Sequence, residues 1–238
     1  MAWSKDSIVH LLEVDSTNRY VRDEAAALWQ NRGISDFAVV TAGHQTAGRG
    51  QRGNTWNSNA GENLLFSILV RPGETLEVSR QFLLSQAVAL SIHDAMKCYG
   101  IDTKFKWPND IYAGNRKLAG ILLELDYSGA FVEQAIIGIG LNVNQENFPP
   151  MDRTPVSMKM LWKHDFILDD VLATILDLFE HYYTEMRFGN RDAIAAEYKR
   201  VLLGMNERHT FFDRDGHFDA VIQDVESDGH LILRRNDG

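Results

Sequence analysis

Lys117-Leu118-Ala119-Gly120-Ile121-Leu122-Leu123-Glu124-Leu125-Asp126-Tyr127, followed by Ser128-Gly129 and by Phe131 to Leu141, is the stretch that decides the architecture. Two runs rich in branched aliphatic residues, parted by a turn signal, read as antiparallel strands joined in a hairpin. Upstream, Thr103 to Trp107 reads as another strand, as do Ile8 to Val14, Phe37 to Thr41 and Asn63 to Val70, the last stopped by Arg71-Pro72-Gly73. Helical spacing separates them. It covers Tyr20, Val21, Ala25 and Leu28 after the N-cap candidates Asp15-Ser16-Thr17-Asn18, with Gly33 as terminator, and then Ser79 to Tyr99, closed by Gly100. Two further helices are expected, from Asp169 or Asp170 to Met186 and from about Asp192 to Leu203. The fold class is therefore α+β, a mixed sheet backed by helices. Beyond Gly204 the pattern changes to short strands split by Asp213-Arg214-Asp215-Gly216 and Asp228-Gly229, so residues 205–238 read as a small β-domain appended to a domain of residues 1–204.

Composition narrows the function class. The 238 residues carry 24 Lys plus Arg against 33 Asp plus Glu, a formal charge of −9, and an acidic surface repels duplex phosphates unless a basic face is segregated. The basic residues concentrate instead at two loops, which points to local anion binding. A single cysteine, Cys98, in an apolar helical stretch is expected to be a buried small hydrophobe and fits a reducing, cytoplasmic compartment. The N-terminus lacks a basic head with an apolar run, and no segment reaches the roughly 18 apolar residues that would span a bilayer, so no membrane partner is expected.

The first basic loop is Gly48-Arg49-Gly50-Gln51-Arg52-Gly53. It matches G-x-G-x-x-G, yet the following Asn54 to Gly61 is loop rather than helix, which excludes a dinucleotide fold, and no kinase H-R-D or D-F-G segment follows. Its glycines still allow backbone N–H groups to curl into an anion nest, with Arg49 and Arg52 adding charge. The second loop is Lys106-Trp107-Pro108-Asn109-Asp110-Ile111-Tyr112 with Arg116 to Gly120. Trp107-Pro108 enforces an extended entry, Asn109 and Asp110 present side chains, and Lys106 and Lys117 are expected to converge from adjacent strands. Gly138-Ile139-Gly140-Leu141-Asn142 adds a site where missing side chains permit close approach to backbone. The polar, proline-bearing run Asn142 to Lys159 is long enough to order around a ligand. The eight histidines are scattered without partners at ligand spacing, so no protein metal site is expected, and no G-x-S-x-G elbow supports a hydrolase.

Four motifs together resemble the biotin protein ligases: Asp15 to Asn18; Gln45 to Gly53 with Trp56; Lys106 to Gly120; and Gly138 to Asn142. The resemblance spans about residues 8 to 235. It implies a sheet of the class II aminoacyl-tRNA synthetase and biotin ligase type with a small C-terminal β-barrel-like domain. It also implies an ATP-dependent activation of biotin to biotinyl-AMP, with Mg²⁺ accompanying ATP, then transfer to a lysine of a biotin carboxyl carrier protein. By resemblance, Ser16, Thr17, Asn18, Gln45, Gly48, Arg49, Gly50, Gln51, Ser67, Lys117, Gly138 and Gly140 surround biotin. Arg52, Trp56, Asn109, Asp110, Gly120 and Asn142 border the nucleotide, while Arg49, Lys117, Asp110 and Lys106 carry the chemistry.

Two departures stand out. Gln51 occupies a loop position that is often basic, which is expected to shift loop closure onto Arg49 and Arg52, and the C-terminal domain is expected to lack a customary last strand. Only fourteen residues precede Asp15, too few for the winged helix-turn-helix of repressor members, so a single-function ligase without DNA binding is expected. Oligomeric state stays open, a homodimer among the options. A lipoate ligase and a non-catalytic biotin or nucleotide sensor are the alternatives.

Overall fold

The structure is a computed structural model that describes residues 3–33, 35–150 and 154–235. Eleven strands run along the described chain: β1 Ile8–Val14, β2 Phe37–Gln45, β3 Leu64–Val70, β4 Gly73–Glu77, β5 Lys104–Lys106, β6 Asp110–Ala113, β7 Arg116–Ser128, β8 Phe131–Leu141, β9 Arg208–Asp213, β10 Gly216–Val225 and β11 Leu231–Arg235. The helices are α1 Thr17–Asp23, α2 Ala25–Asn31, α3 Phe82–Cys98, α4 Met158–Trp162, α5 Leu168–Phe188 and α6 Arg191–Val201.

The main sheet has the order β1-β2-β3-β8-β7-β6-β5, with β4 also paired to β8. Only β1 and β2 run parallel; every other pairing is antiparallel, so the sheet is mixed as expected. The hairpin of β7 and β8 forms its centre. Its turn needs a positive φ, and Gly129 supplies it at 58°.

Side chains alternate across these strands and build two different faces. Phe66, Ile68, Val70, Ile137, Ile139 and Ile121 enter the larger core, where α3, α5 and α6 cover them. Helix α5 presents Val171, Leu172, Ile175, Leu176, Phe179, Tyr183 and Met186 at helical spacing, and Phe179 meets Phe37 edge-on at 5.2 Å. The opposite face is covered by α1 and α2 only over β2, β3 and part of β8, through Val21, Leu28, Ala38, Val40, Leu69 and Ile136. Beyond that cover, β8 and β7 lie open, and the site is there.

Several expectations change. The apolar pattern from Tyr20 to Leu28 forms two short helices rather than one, because Glu24 leaves helical geometry at φ −102° and ψ 13°. Strand β4 follows at once after the turn at Pro72, where the sequence signalled only a stop, and β6 was hidden in what reads as a loop. Because β6 lies between β5 and β7, Lys106 and Lys117 are not on adjacent strands. Cys98 is exposed rather than buried: it falls with Asp94 and Lys97 on the outer side of the last turn of α3.

The small sheet has the order β11-β10-β9 and its Ile222 and Val225 join the same buried cluster as the main sheet. Trp107 Nε1 also donates to the Gly229 carbonyl at 2.9 Å, tying the second basic loop to the β10–β11 turn. The last residues of that segment, 236–238, and the middle of the expected long loop, 151–153, lie outside the described residues. No described helix is long and apolar enough to cross a membrane.

Candidate active site

The exposed part of β7 and β8 would be flat if every position carried a side chain. Gly120 and Gly140 are cross-strand partners, and Gly138 pairs with both Leu122 and Ser67, so a depression floored by the glycines of β7 and β8 runs up to Ser67 on β3. Each gap is filled from above by the protein itself. A Cβ on Gly140 would lie 2.3 Å from the Trp56 indole, and one on Gly138 would lie 2.3 Å from Asn18 Oδ1. The glycines therefore admit two side chains to the floor, and Gly138 and Gly140 themselves remain on the cavity lining.

At the Asn18 end, helix α1 starts with Ser16 as its extended N-cap, and the first free backbone donor, Thr17 N–H, is satisfied by Gln45 Oε1 from the end of β2 at 2.8 Å. Ser67 Oγ lies 2.6 Å from Asn18 Oδ1 and 2.8 Å from Thr17 Oγ1. Ser16, Thr17, Asn18 and Ser67 are all buried, and Ser67 sits beneath the cavity wall. Asn18 Nδ2 donates to Glu124 Oε2 at 2.9 Å, and Glu124 Oε1 holds Arg49 Nη1 at 2.9 Å. Six polar side chains thus form one chain of contacts from Gln45 to Arg49.

At the other end stands a buried ion pair. Lys117 Nζ lies 2.7 Å from Asp110 Oδ1, the carboxylate only 3% exposed, and 5.3 Å from the centroid of the Trp56 ring. A buried pair of this kind is retained only where its geometry and hydrogen bonds compensate desolvation. Asn109 fixes the turn, because its Nδ2 donates to Ile121 O at 2.8 Å while its own carbonyl accepts from Ile121 N–H at 2.9 Å. The Trp107–Pro108 bond is cis, and Pro108 lines the cavity.

The glycine-rich loop closes the upper side. Gly50 N–H donates to Asn54 O and Trp56 N–H to Gly48 O, folding the loop back on itself. Gly48 is required by that fold, since a Cβ there would lie 2.4 Å from the Trp56 carbonyl oxygen. Arg52 takes φ 56° and ψ 37°, a left-handed conformation costing a non-glycine residue of order 1–3 kcal/mol.

One cavity brings together Ser16, Thr17, Asn18, Gln45, Arg49, Gly50, Gln51, Arg52, Trp56, Asn109, Asp110, Lys117, Gly120, Gly138 and Gly140. Four expected residues are not on its lining. Lys106 is paired in register with Asp110 and lies over the Tyr112 ring at 5.1 Å. Gly48 and Ser67 stand behind the wall. Asn142 lines a neighbouring cavity shared with Thr55, Trp56, Lys117, Phe148 and Pro155, and its amide donates to Val156 O, tethering the following loop. Sequence reading missed Glu124, whose signal was available: a carboxylate that interrupts the apolar run from Leu118 to Leu125 in β7. It also took the histidines as lacking carboxylate neighbours, whereas His230 gathers with Glu226 and Asp228 in an exposed turn, which its own hydrogen bonds account for.

Residues 13–142 match the family described as biotin/lipoate A/B protein ligases. A biotin–[acetyl-CoA-carboxylase] ligase of Paracoccus denitrificans is 39% identical over 236 residues, covering 94% of this chain and 92% of its own. The bifunctional ligase/repressor BirA of Bacillus subtilis is 30% identical over 211 residues, and the match spans 87% of this chain but 65% of that relative's length. Among solved structures, the biotin protein ligase of Aquifex aeolicus in complex with biotin and ATP superposes with a TM-score of 0.80 at 24% identity, covering 98% of this chain and 93% of that one. That likeness establishes the shared fold.

Proposed function

We propose, from the premise that the chain belongs to the biotin/lipoate A/B protein ligase family, that it activates biotin with ATP and transfers the acyl group to a lysine of a biotin carboxyl carrier protein. The observation carrying this reading is a single cavity whose wall joins the Ser16–Asn18 and Gln45 amide and hydroxyl groups to the Lys117 ammonium. A ureido-bearing acyl acid needs neutral donors and acceptors at one end and a cation at its carboxylate. This cavity offers both.

In the first step a biotin carboxylate oxygen attacks the α-phosphorus of ATP, the bond to the β-phosphate oxygen breaks, and pyrophosphate leaves. Lys117, already in the cavity, sits where negative charge gathers, and loop amides between residues 48 and 53 add donors. A preorganised donor of this kind contributes about 3 kcal/mol. Mg²⁺ would accompany ATP and neutralise phosphate charge, and Asp110, which lines the cavity, would offer it a carboxylate oxygen, a donor that suits a hard cation. In the second step the carrier amine attacks the acyl carbon, the bond to AMP breaks, and the amine sheds a proton to solvent, with Asp110 available to orient the amine. The adenylate must meanwhile be shielded from water, the task of the 48–53 loop and of the segment after Asn142.

The deciding experiment is biotin-dependent exchange of labelled pyrophosphate into ATP. Exchange is expected, with biotin outcompeting lipoate. A chain that binds biotin without exchange would be a sensor, and preference for lipoate would assign the other branch of the family.

A further inference from the structure

We infer that Glu124 is a positioning residue whose carboxylate anchors Arg49 and thereby holds the glycine-rich loop across the cavity. The inference deepens the ligase reading and rests on it for the catalytic readout, though not for the structural one.

Glu124 is only 17% exposed and uses both oxygens on residues that line the cavity, Oε1 on Arg49 and Oε2 on Asn18. An unpaired carboxylate at the edge of an anion-binding cavity would repel its ligand, so its presence calls for a dedicated cation. Arg49 is that cation. The pairing also fixes where Arg49 acts. A Cβ on Gly120 would lie 3.3 Å from Lys117 Nζ, whereas Glu124 stands four residues further along β7, about 13 Å away at strand rise. With register to β8 unbroken between Gly120 and Glu124, the guanidinium and the ammonium are held at opposite ends of one floor. Arg49 is thus a strut for the loop, and Lys117 serves the phosphate end without it. One guanidinium N–H is spent on Glu124, while the residue's backbone is bridged to Thr55 within the loop itself, so the side-chain contact is what ties this turn to β7.

The test compares wild type with Glu124→Ala, Glu124→Gln, Arg49→Ala and the double variant. Amide hydrogen exchange of residues 48–55 is first read on ligand-free protein. Removing either partner of a charge-assisted contact is expected to accelerate exchange about tenfold, with Glu124→Gln intermediate because it keeps an acceptor oxygen. Release of biotinyl-AMP is then timed. Glu124→Ala and Arg49→Ala should speed it by the same factor, the double variant no further, while the turnover number at saturating ATP and biotin falls far less in Glu124→Ala than in Lys117→Ala. Unchanged exchange in a folded Glu124 variant, or additive effects of the two substitutions, overturns the proposal. Should Glu124→Ala fail to fold, Glu124→Gln and Arg49→Ala carry the same comparison. If wild type forms no adenylate, the ligase reading fails, and the exchange result still decides the anchor.

Discussion

Strands β3, β8 and β7 have one face packed against α3, α5 and α6, and another that carries Ser67, Gly138, Gly140, Gly120 and Glu124. The first face is dry and interdigitated, so its residues contribute through burial and contact, and any apolar group of the right volume suffices. The second contributes through donors, acceptors and gaps, where one added methyl group or one lost oxygen alters a defined contact. Since alternate residues of the same strands serve both, a one-residue slip of register would exchange core and site together. The fold is in this sense what keeps the chemistry on the proper side.

The contrast can be broken from either side. Truncating Phe179, which is 1% exposed and packs between Phe37 and Tyr183, should destabilise the protein by about 3–5 kcal/mol in denaturant titration. A loss below about 1 kcal/mol would mean the core relaxes around it. On the other face, Lys117→Ala should leave the fold intact, at a stability cost because it strands the buried Asp110 carboxylate, and slow adenylate formation about a hundredfold, near 3 kcal/mol of transition-state stabilisation. Normal single-turnover rates with tight adenylate retention would defeat the assignment of that ammonium.

Gly140→Ala sharpens the comparison further. At an unobstructed position with ordinary backbone angles the change would be stabilising, but here the new Cβ meets the Trp56 ring at 2.3 Å. The indole must move, at a cost of about 1–3 kcal/mol, and Trp56 fluorescence should report it. An unchanged spectrum together with a raised midpoint would show that the ring does not rest on this floor. The smallest effect concerns acid. Burial, with Lys97 helping, lowers the pKa of His93, whose ring lies 2.7 Å from Thr103 Oγ1. The folded state then binds fewer protons than the unfolded one, so stability is full above the ordinary histidine pKa and declines as pH falls below it. The thermal midpoint should drop between about pH 7 and 5, and His93→Gln should flatten that slope. An equally steep slope in the variant would remove His93 from the account.

Much of this was readable beforehand because periodicity and turn chemistry are local. The β7–β8 hairpin, the helices α3, α5 and α6, and the small three-stranded sheet follow from alternation, 3.6-residue spacing and glycine placement. What escaped was short or bounded by ambiguous signals. Strand β6 has four residues and looks like a turn in isolation, and β4 follows a proline-glycine stop with a single buried residue, Leu76. Cys98 escaped because an apolar stretch does not say where a helix face ends.

The sequence alone determined the class of the fold, the two basic loops and the family to which their motifs point, since each depends on residues close together in the chain. Only the tertiary structure decided that Asn18 and Trp56 fill the places left by Gly138 and Gly140, that β6 parts Lys106 from Lys117, and that Glu124 claims Arg49. Those are contacts between residues 75 to 120 positions apart or between strands ordered by pairing. Such proximity is set by how sheet register and helix packing close the chain, which no local pattern encodes.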